Sequence, residues 1–190
     1  FSNDESHLKK CLEVSNICYL HAPLFHPSMK NVAPIRKDLG FKTFFNLLGP
    51  LVNPTKPQNQ LTGVYNLETA RLYGYIFKNT NKNFSIIYSL DGYDEISLTN
   101  EFKLITNKEE IISDASYFKL NKVDPKKILG GKSVKESADI FVKILVGKGS
   151  ESQENVVLAN SSLAIRTLTG KDIEECYSIA KESLESGKAY

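Results

Sequence analysis

An α/β domain with a central, largely parallel sheet flanked by helices is the fold class predicted by three features of the sequence. A strand, a helix and a second strand follow one another over residues 61–90, the order of a βαβ unit and so of parallel pairing. The last third of the chain is helical by apolar periodicity and capping signals. Gly49-Pro50, Asp91-Gly92 and Gly147-x-Gly149 separate these segments.

Element by element, residues 7–20 read as a helix, because Leu8, Cys11, Leu12, Val14, Ser15 and Cys18 form an apolar stripe at near-helical spacing. Residues 21–30, with two prolines and two histidines, read as a loop. Asn31 can cap the next helix, Pro34 fits its first turn and Gly40 ends it, with Val32, Ile35 and Leu39 inward. A short helix at 42–48 stops at Gly49-Pro50, and the Pro/Asn-rich stretch 53–59 is a loop. Leu61–Tyr65 is a strand, and Leu67–Lys78 is a helix with Ala70, Tyr73 and Phe77 on one face. Phe84–Leu90 is a buried-type strand closed by Asp91-Gly92, and Glu101–Thr106 and Ala115–Leu120 are weaker strands. Ser133-x-x-Glu136 is a capping-box pattern ahead of an apolar face formed by Ala138, Phe141, Val142 and Leu145. Helices at Asn155–Leu168 and 172–186 follow; Asp172 caps the second, and Ile173, Cys176, Tyr177, Ala180 and Leu184 point inward.

Composition narrows the function classes. With Lys+Arg 24 against Asp+Glu 22, the net charge of +2 lacks the basic excess of a dedicated nucleic-acid binder. No run of about 18 apolar residues is present to span a membrane. The three cysteines, Cys11, Cys18 and Cys176, have no metal-ligand spacing and suggest reduced thiols in a cytoplasmic protein. The start at Phe1, without Met or a signal-peptide pattern, suggests a fragment.

Two constellations carry possible chemistry. Asp91-Gly92-Tyr93-Asp94-Glu95 puts three carboxylates within five residues at the end of a strand, where open α/β sheets bind ligands. Crowded carboxylates repel unless a cation lies between them, and Mg²⁺ takes one or two carboxylates plus water and phosphates. A solvated acidic turn is the alternative. In the 21–36 segment, Arg36 borders an apolar helix face, where its planar fork suits a carboxylate or phosphate. A surface Arg with a buried stem is the alternative there. His26, between Phe25 and Pro27, reads as a hydrogen-bonded packing histidine, and Gly49-Pro50 as punctuation that can also shape a pocket wall. Gly130-Gly131 and Gly147-x-Gly149 read as hinges. No Ser or Cys sits with a base for covalent catalysis, so no catalytic nucleophile is assigned.

The string His26-Pro27-Ser28-Met29-Lys30-Asn31-Val32-Ala33-Pro34-Ile35-Arg36-Lys37-Asp38-Leu39-Gly40 resembles the HPAMKxVxPVRxxLG segment of anthranilate phosphoribosyltransferases. Thr43-Phe44-Phe45-Asn46-Leu47-Leu48-Gly49-Pro50-Leu51-Val52-Asn53-Pro54 resembles their TxFNLLGPLxNP, and Gly63-Val64-Tyr65 their GVY. Asp94-Glu95 falls in register with the family's acidic pair. Gly130-Gly131, Val157-Leu158-Ala159-Asn160 and Glu185-Ser186-Gly187-Lys188-Ala189 match more loosely, so the similarity runs from about Leu20 to the C-terminus.

The resemblance implies a fold like the C-terminal domain of nucleoside phosphorylases and phosphoribosyltransferases. It implies transfer of a phosphoribosyl group from phosphoribosyl pyrophosphate to the amino group of anthranilate, releasing pyrophosphate, in tryptophan biosynthesis. Arg36 would bind the anthranilate carboxylate, His26, Gly49 and Pro50 would line the anthranilate tunnel, and Asp94 and Glu95 would hold Mg²⁺ on the pyrophosphate. The full-length enzyme would be a homodimer without nucleic-acid or membrane partners.

The family's GTGGD loop, Asn-Val-Ser-Thr stretch and KHGN string do not occur in the 190 residues. Residues 1–190 are therefore expected to form an incomplete catalytic α/β domain, lacking the N-terminal helical domain and the first part of the α/β domain, and to be inactive alone. Phe25 stands where the family often has Tyr, so no hydroxyl is available at that position. A pyrimidine nucleoside phosphorylase-like enzyme of the same fold and a non-catalytic ligand- or partner-binding fragment are the alternatives.

Overall fold

The computed structural model describes residues 1–26, 38 and 44–190. The helix expected from Asn31 to Gly40 and the start of the one at 42–48 lie outside the described residues, as does Arg36. The chain forms two compact units, Phe1–Pro57 and Gln58–Tyr190.

In the first unit, α1 spans Glu5–Ser15. It starts earlier than its apolar stripe because the Asp4 carboxylate accepts the Ser6 N–H. It ends before Cys18 because Asn16 turns left-handed at φ 56°. The apolar stripe is not covered: α1 buries no residue. The loop expected at 21–30 contains a one-turn helix, α2, at Ala22–Phe25, with Pro23 in its first turn. The short helix expected at 42–48 is reduced, in its described part, to a 3-10 turn at Phe44–Asn46. Gly49-Pro50 does not simply stop the chain but opens a second such turn, Gly49–Leu51, for which the fixed φ of Pro50 is suited.

The second unit opens with the βαβ run. β1 spans Asn59–Gly63, α3 Leu67–Lys78 and β2 Asn83–Ser89. β1 and β2 pair in parallel, from Asn59 opposite Asn83 to Gly63 opposite Ile87. The Asn66 side chain caps α3 by accepting the Thr69 N–H at 2.8 Å. Ala70, Tyr73 and Phe77 are buried on one face of α3, at the spacing its sequence shows.

β3 (Phe102–Thr106) and β4 (Glu110–Ser113) complete a sheet of order β1-β2-β3-β4, in which β2–β3 and β3–β4 are antiparallel. The α/β class is as expected, but the described sheet is mixed rather than largely parallel. No helix intervenes between β2 and β3, and Asn107, Lys108 and Glu109 alone join β3 to β4, a connection short enough only for a hairpin. The strand expected at Ala115–Leu120 is instead a 3-10 turn, Ala115–Phe118. The Asp114 carboxylate accepts the Ser116 N–H there at 2.8 Å, and Ala115 and Phe118 are buried one turn apart.

Three helices close the unit: α4 (Val134–Leu145), α5 (Glu151–Thr169) and α6 (Ile173–Glu185). α5 begins a turn before its expected start because Ser150 and Gln153 form a full capping box. α4 turns a different face inward from the one its sequence suggests. Ile140 and Ile144 pack with Leu158, Ala180 and Leu184, whereas Phe141 is 63% exposed. The main core gathers Ile87, Ile96, Leu98, Phe102, Leu104, Phe118, Ala159 and Leu163. α5 thus lies on the sheet beside the ends of β1 and β2. Among the described residues no helix is long and apolar enough to cross a membrane, and Cys11, Cys18 and Cys176 are free thiols.

Candidate functional site

Because β1 and β2 are parallel and in register, Gly63 and Ser89 end on the same side of the sheet. The chain leaving Ser89 makes a tight turn there. Gly92, at φ 99°, donates its N–H to the Ser89 carbonyl, and the Ser89 N–H goes to the Tyr93 carbonyl. Asp94 and Glu95 follow at once, beyond the carboxyl ends of the parallel pair.

The three carboxylates read together in the sequence have different surroundings. Asp91 turns back into the protein, accepting hydrogen bonds from the Thr99 and Ser97 hydroxyls. Asp94 and Glu95 are exposed, and neither has a salt-bridge partner among the described residues. Lost hydration pushes the Glu95 carboxyl above the usual carboxylate range, and the adjacent Asp94 charge adds to the rise. Among the described residues no group of three or more His, Cys, Asp or Glu side chains surrounds a metal position. What remains is a pair of hard oxygen donors whose mutual repulsion a cation would relieve. That donor set fits Mg²⁺ completed by water and phosphate oxygens, and it does not fit a closed protein cage.

The turn is gripped from three sides. Gly63 is one: a Cβ built there would lie 1.6 Å from the Asp94 carbonyl oxygen, so only glycine lets that peptide lie where it does. Ser89, fully buried, donates its hydroxyl to the Glu95 carbonyl at 2.6 Å. Asn160, on α5, accepts the Ile96 N–H at 2.9 Å and donates to the Ile96 carbonyl at 2.8 Å. None of these residues was singled out as a site residue from the sequence. One available signal was an Asn inside a long helix, where its helix propensity is poor without a specific partner.

In the first unit, His26 Nε2 meets the Val52 carbonyl at 2.6 Å, which ties the end of α2 to the 3-10 turn at Gly49–Leu51. The packing role read for His26 is therefore present. His26 and Gly49 border one small cavity of about 90 Å³ together with Phe25, Val52 and Pro54. A Cβ on Gly49 would meet nothing within 4 Å, so the backbone there faces open space. Pro50 is the next residue of the same turn and does not border that cavity. A wider cavity of about 300 Å³, at the opposite end of β2 beside Asn83, Arg166 and Thr169, shares no residue with the acidic turn.

A parallel strand pair ending at a buttressed two-carboxylate turn, with a helix laid across it, defines an α/β domain with an open acidic turn at the carboxyl ends of its strands. The chain belongs to the glycosyl transferase family, a/b domain, whose sequence pattern it matches over residues 1–190. It is 57% identical over 188 residues to the anthranilate phosphoribosyltransferase of Flavobacterium johnsoniae, covering 99% of this chain and 57% of that protein. It is 56% identical over 190 residues to that of Christiangramia forsetii, covering 100% of this chain and 57% of that protein. Among solved structures, the Saccharomyces cerevisiae anthranilate phosphoribosyltransferase in complex with PRPP and Mg superposes with a TM-score of 0.87 at 28% identity, over 97% of this chain and 53% of that one. The Thermus thermophilus enzyme gives 0.87 at 26%, over 96% and 55%. The chain thus spans somewhat more than half the length of the relatives it matches.

Proposed function

We propose that this chain supplies the metal-side and acceptor-side residues of an anthranilate phosphoribosyltransferase, the enzyme that moves a phosphoribosyl group from phosphoribosyl pyrophosphate to the anthranilate amine. The observation that carries this reading is the Asp94–Glu95 pair, exposed and without a salt-bridge partner among the described residues, on a turn fixed at the ends of a parallel strand pair. Its support comes from the similarity to transferases that act on this pair of substrates, one of them solved with PRPP and Mg. The nucleoside phosphorylase alternative has no counterpart to the 26–54 string.

In this reading Asp94 and Glu95 would hold Mg²⁺, which would supply charge neutralisation for the leaving pyrophosphate. The protein's part is to hold the turn that carries both carboxylates in one fixed conformation. Arg36 offers its two parallel N–H donors to the anthranilate carboxylate, which orients the amine toward the ribosyl carbon. His26, Gly49 and Pro50 form the wall past which the planar acceptor enters. The GTGGD and KHGN strings that serve the donor's phosphates are not among these 190 residues. The activity, and a homodimer as the resemblance implies, are thus proposed for an assembly larger than this chain. The three free thiols support a cytoplasmic setting.

A chimera tests the reading. In it, this chain replaces the matching region of the Flavobacterium johnsoniae relative. The expected result is Mg²⁺-dependent consumption of anthranilate by the chimera and none by the 190-residue chain alone. A soluble, folded chimera without turnover would contradict the assignment, and clear turnover by the chain alone would contradict the expectation that it is inactive by itself.

A further inference from the structure

The grip on the acidic turn is specific to one residue. The peptide group joining Glu95 to Ile96 is held on both sides, its carbonyl by the Ser89 hydroxyl at 2.6 Å and its N–H by Asn160 Oδ1 at 2.9 Å. The next carbonyl, that of Ile96, takes a hydrogen bond from Asn160 Nδ2 at 2.8 Å. The same Nδ2 also donates to the Val156 carbonyl one turn back on α5, at 2.9 Å. Both amide hydrogens of Asn160 are therefore committed, and its oxygen faces a donor, so the side chain has one satisfied orientation. On the other side of Glu95, the Asp94 carbonyl presses against Gly63, where a Cβ would sit 1.6 Å away.

The two peptide planes flanking the Glu95 Cα are thus both fixed, which sets the direction in which its side chain leaves the backbone. The Ile96 side chain, fully buried, anchors the third point. Asn160 reaches this turn from a residue 64 positions away and copies the hydrogen-bond pattern of a neighbouring strand.

We propose that Asn160 is a positioning residue for the metal pair: its amide clamps Ile96 and thereby aims the Glu95 carboxylate at the cation. This rests on the reading of Asp94 and Glu95 as metal ligands. Partners that orient ligands from behind are worth about 10–100-fold in metal affinity, a range that a clamp of this kind should share.

The test uses the 190-residue chain with Mn²⁺ as the probe cation and inorganic pyrophosphate present. Free Mn²⁺ is followed by electron paramagnetic resonance, and amide exchange at Ile96 by NMR. Asn160→Ala is expected to weaken Mn²⁺ binding by about 10-fold or more and to accelerate exchange of the Ile96 amide. Asn160→Asp keeps the shape but cannot donate to the Ile96 carbonyl; it covers the case in which the Ala variant fails to fold, and is expected to lose affinity as well. Ser162→Ala, on the same helix, removes a buried hydroxyl that bonds only to the Ala159 carbonyl and should change neither readout. Faster Ile96 exchange with unchanged Mn²⁺ affinity in both Asn160 variants would overturn the proposal and leave the metal reading intact. Mn²⁺ binding that is absent from the unmodified chain, or indifferent to Asp94→Asn and Glu95→Gln, would overturn the metal reading and the proposal with it.

Discussion

The unit ending at Pro57 and the unit beginning at Gln58 are built on opposite terms. The first carries the long string from His26 to Pro54, dense in prolines, glycines and side chains suited to a planar anion. Among its described residues none is a buried apolar core residue, and Leu12 and Val14 of α1 stand in solvent. The second carries only short and scattered matches, yet every buried apolar residue among the described ones belongs to it, from Val64 to Leu184. The contrast separates two kinds of constraint. A ligand selects particular residue types at particular positions, which leaves a recognisable string. A core selects volume and polarity, which many sequences satisfy.

The sharpest way to break this comparison is to delete packing in each unit. Phe102→Ala, at a fully buried position on β3, is expected to lower the stability of the second unit by about 3–5 kcal/mol in denaturant titration. Leu12→Ala, at a position 47% exposed, is expected to stay within about 0.5 kcal/mol. Comparable losses at the two positions would show that the first unit buries its apolar stripe after all.

Gly63→Ala has the next largest expected effect. The added methyl meets the Asp94 carbonyl, a backbone atom that cannot swing aside, so the turn has to move, at a cost of about 1–3 kcal/mol. The same variant should also weaken Mn²⁺ binding, which Phe102→Ala at a temperature where the chain remains folded should not. Ser150→Ala follows, with about 1 kcal/mol expected from loss of the capping box of α5. Phe141→Ser comes last. At 63% exposure it should change stability by no more than about 0.5 kcal/mol, whereas an inward-facing Phe would cost several times that.

The misplacement of Phe141 illustrates what local pattern can convey. Periodicity shows that α4 has an apolar stripe, but not which flank of it a neighbour covers. Ile140 and Ile144 face α5 and α6 because of where those helices pack. By contrast, the bounds and the buried face of α3 are legible in the sequence, and the Asn66 cap found in the structure agrees with both. Ala115–Leu120 read as a strand from Tyr117, Phe118 and Leu120, but the Asp114 cap makes a turn locally cheaper than a strand. β4 is a four-residue edge strand with half-covered positions, too short for alternation to register. At the site, the strand-end position of Asp94 and Glu95 marked them as candidates, and their register with the upstream string made the pair specific. Asn160 and Gly63 act on backbone groups 64 and 31 positions away, which no spacing rule encodes, and Ser89 acts on a carbonyl within its own turn.

In the proposed function the two units serve different partners of one reaction, the acceptor and the metal-bound leaving group. Steady-state kinetics of the chimera with Arg36→Ala and with Asp94→Asn measures this most directly, with anthranilate and Mg²⁺ varied in turn. The claim predicts that Arg36→Ala raises the anthranilate KM about tenfold or more, the loss expected for a charge-assisted pair, and leaves the Mg²⁺ dependence in place. Asp94→Asn should move the Mg²⁺ dependence to higher concentration with little change in the anthranilate KM. Both variants shifting the same parameter, or Arg36→Ala leaving the anthranilate KM unchanged, would contradict it.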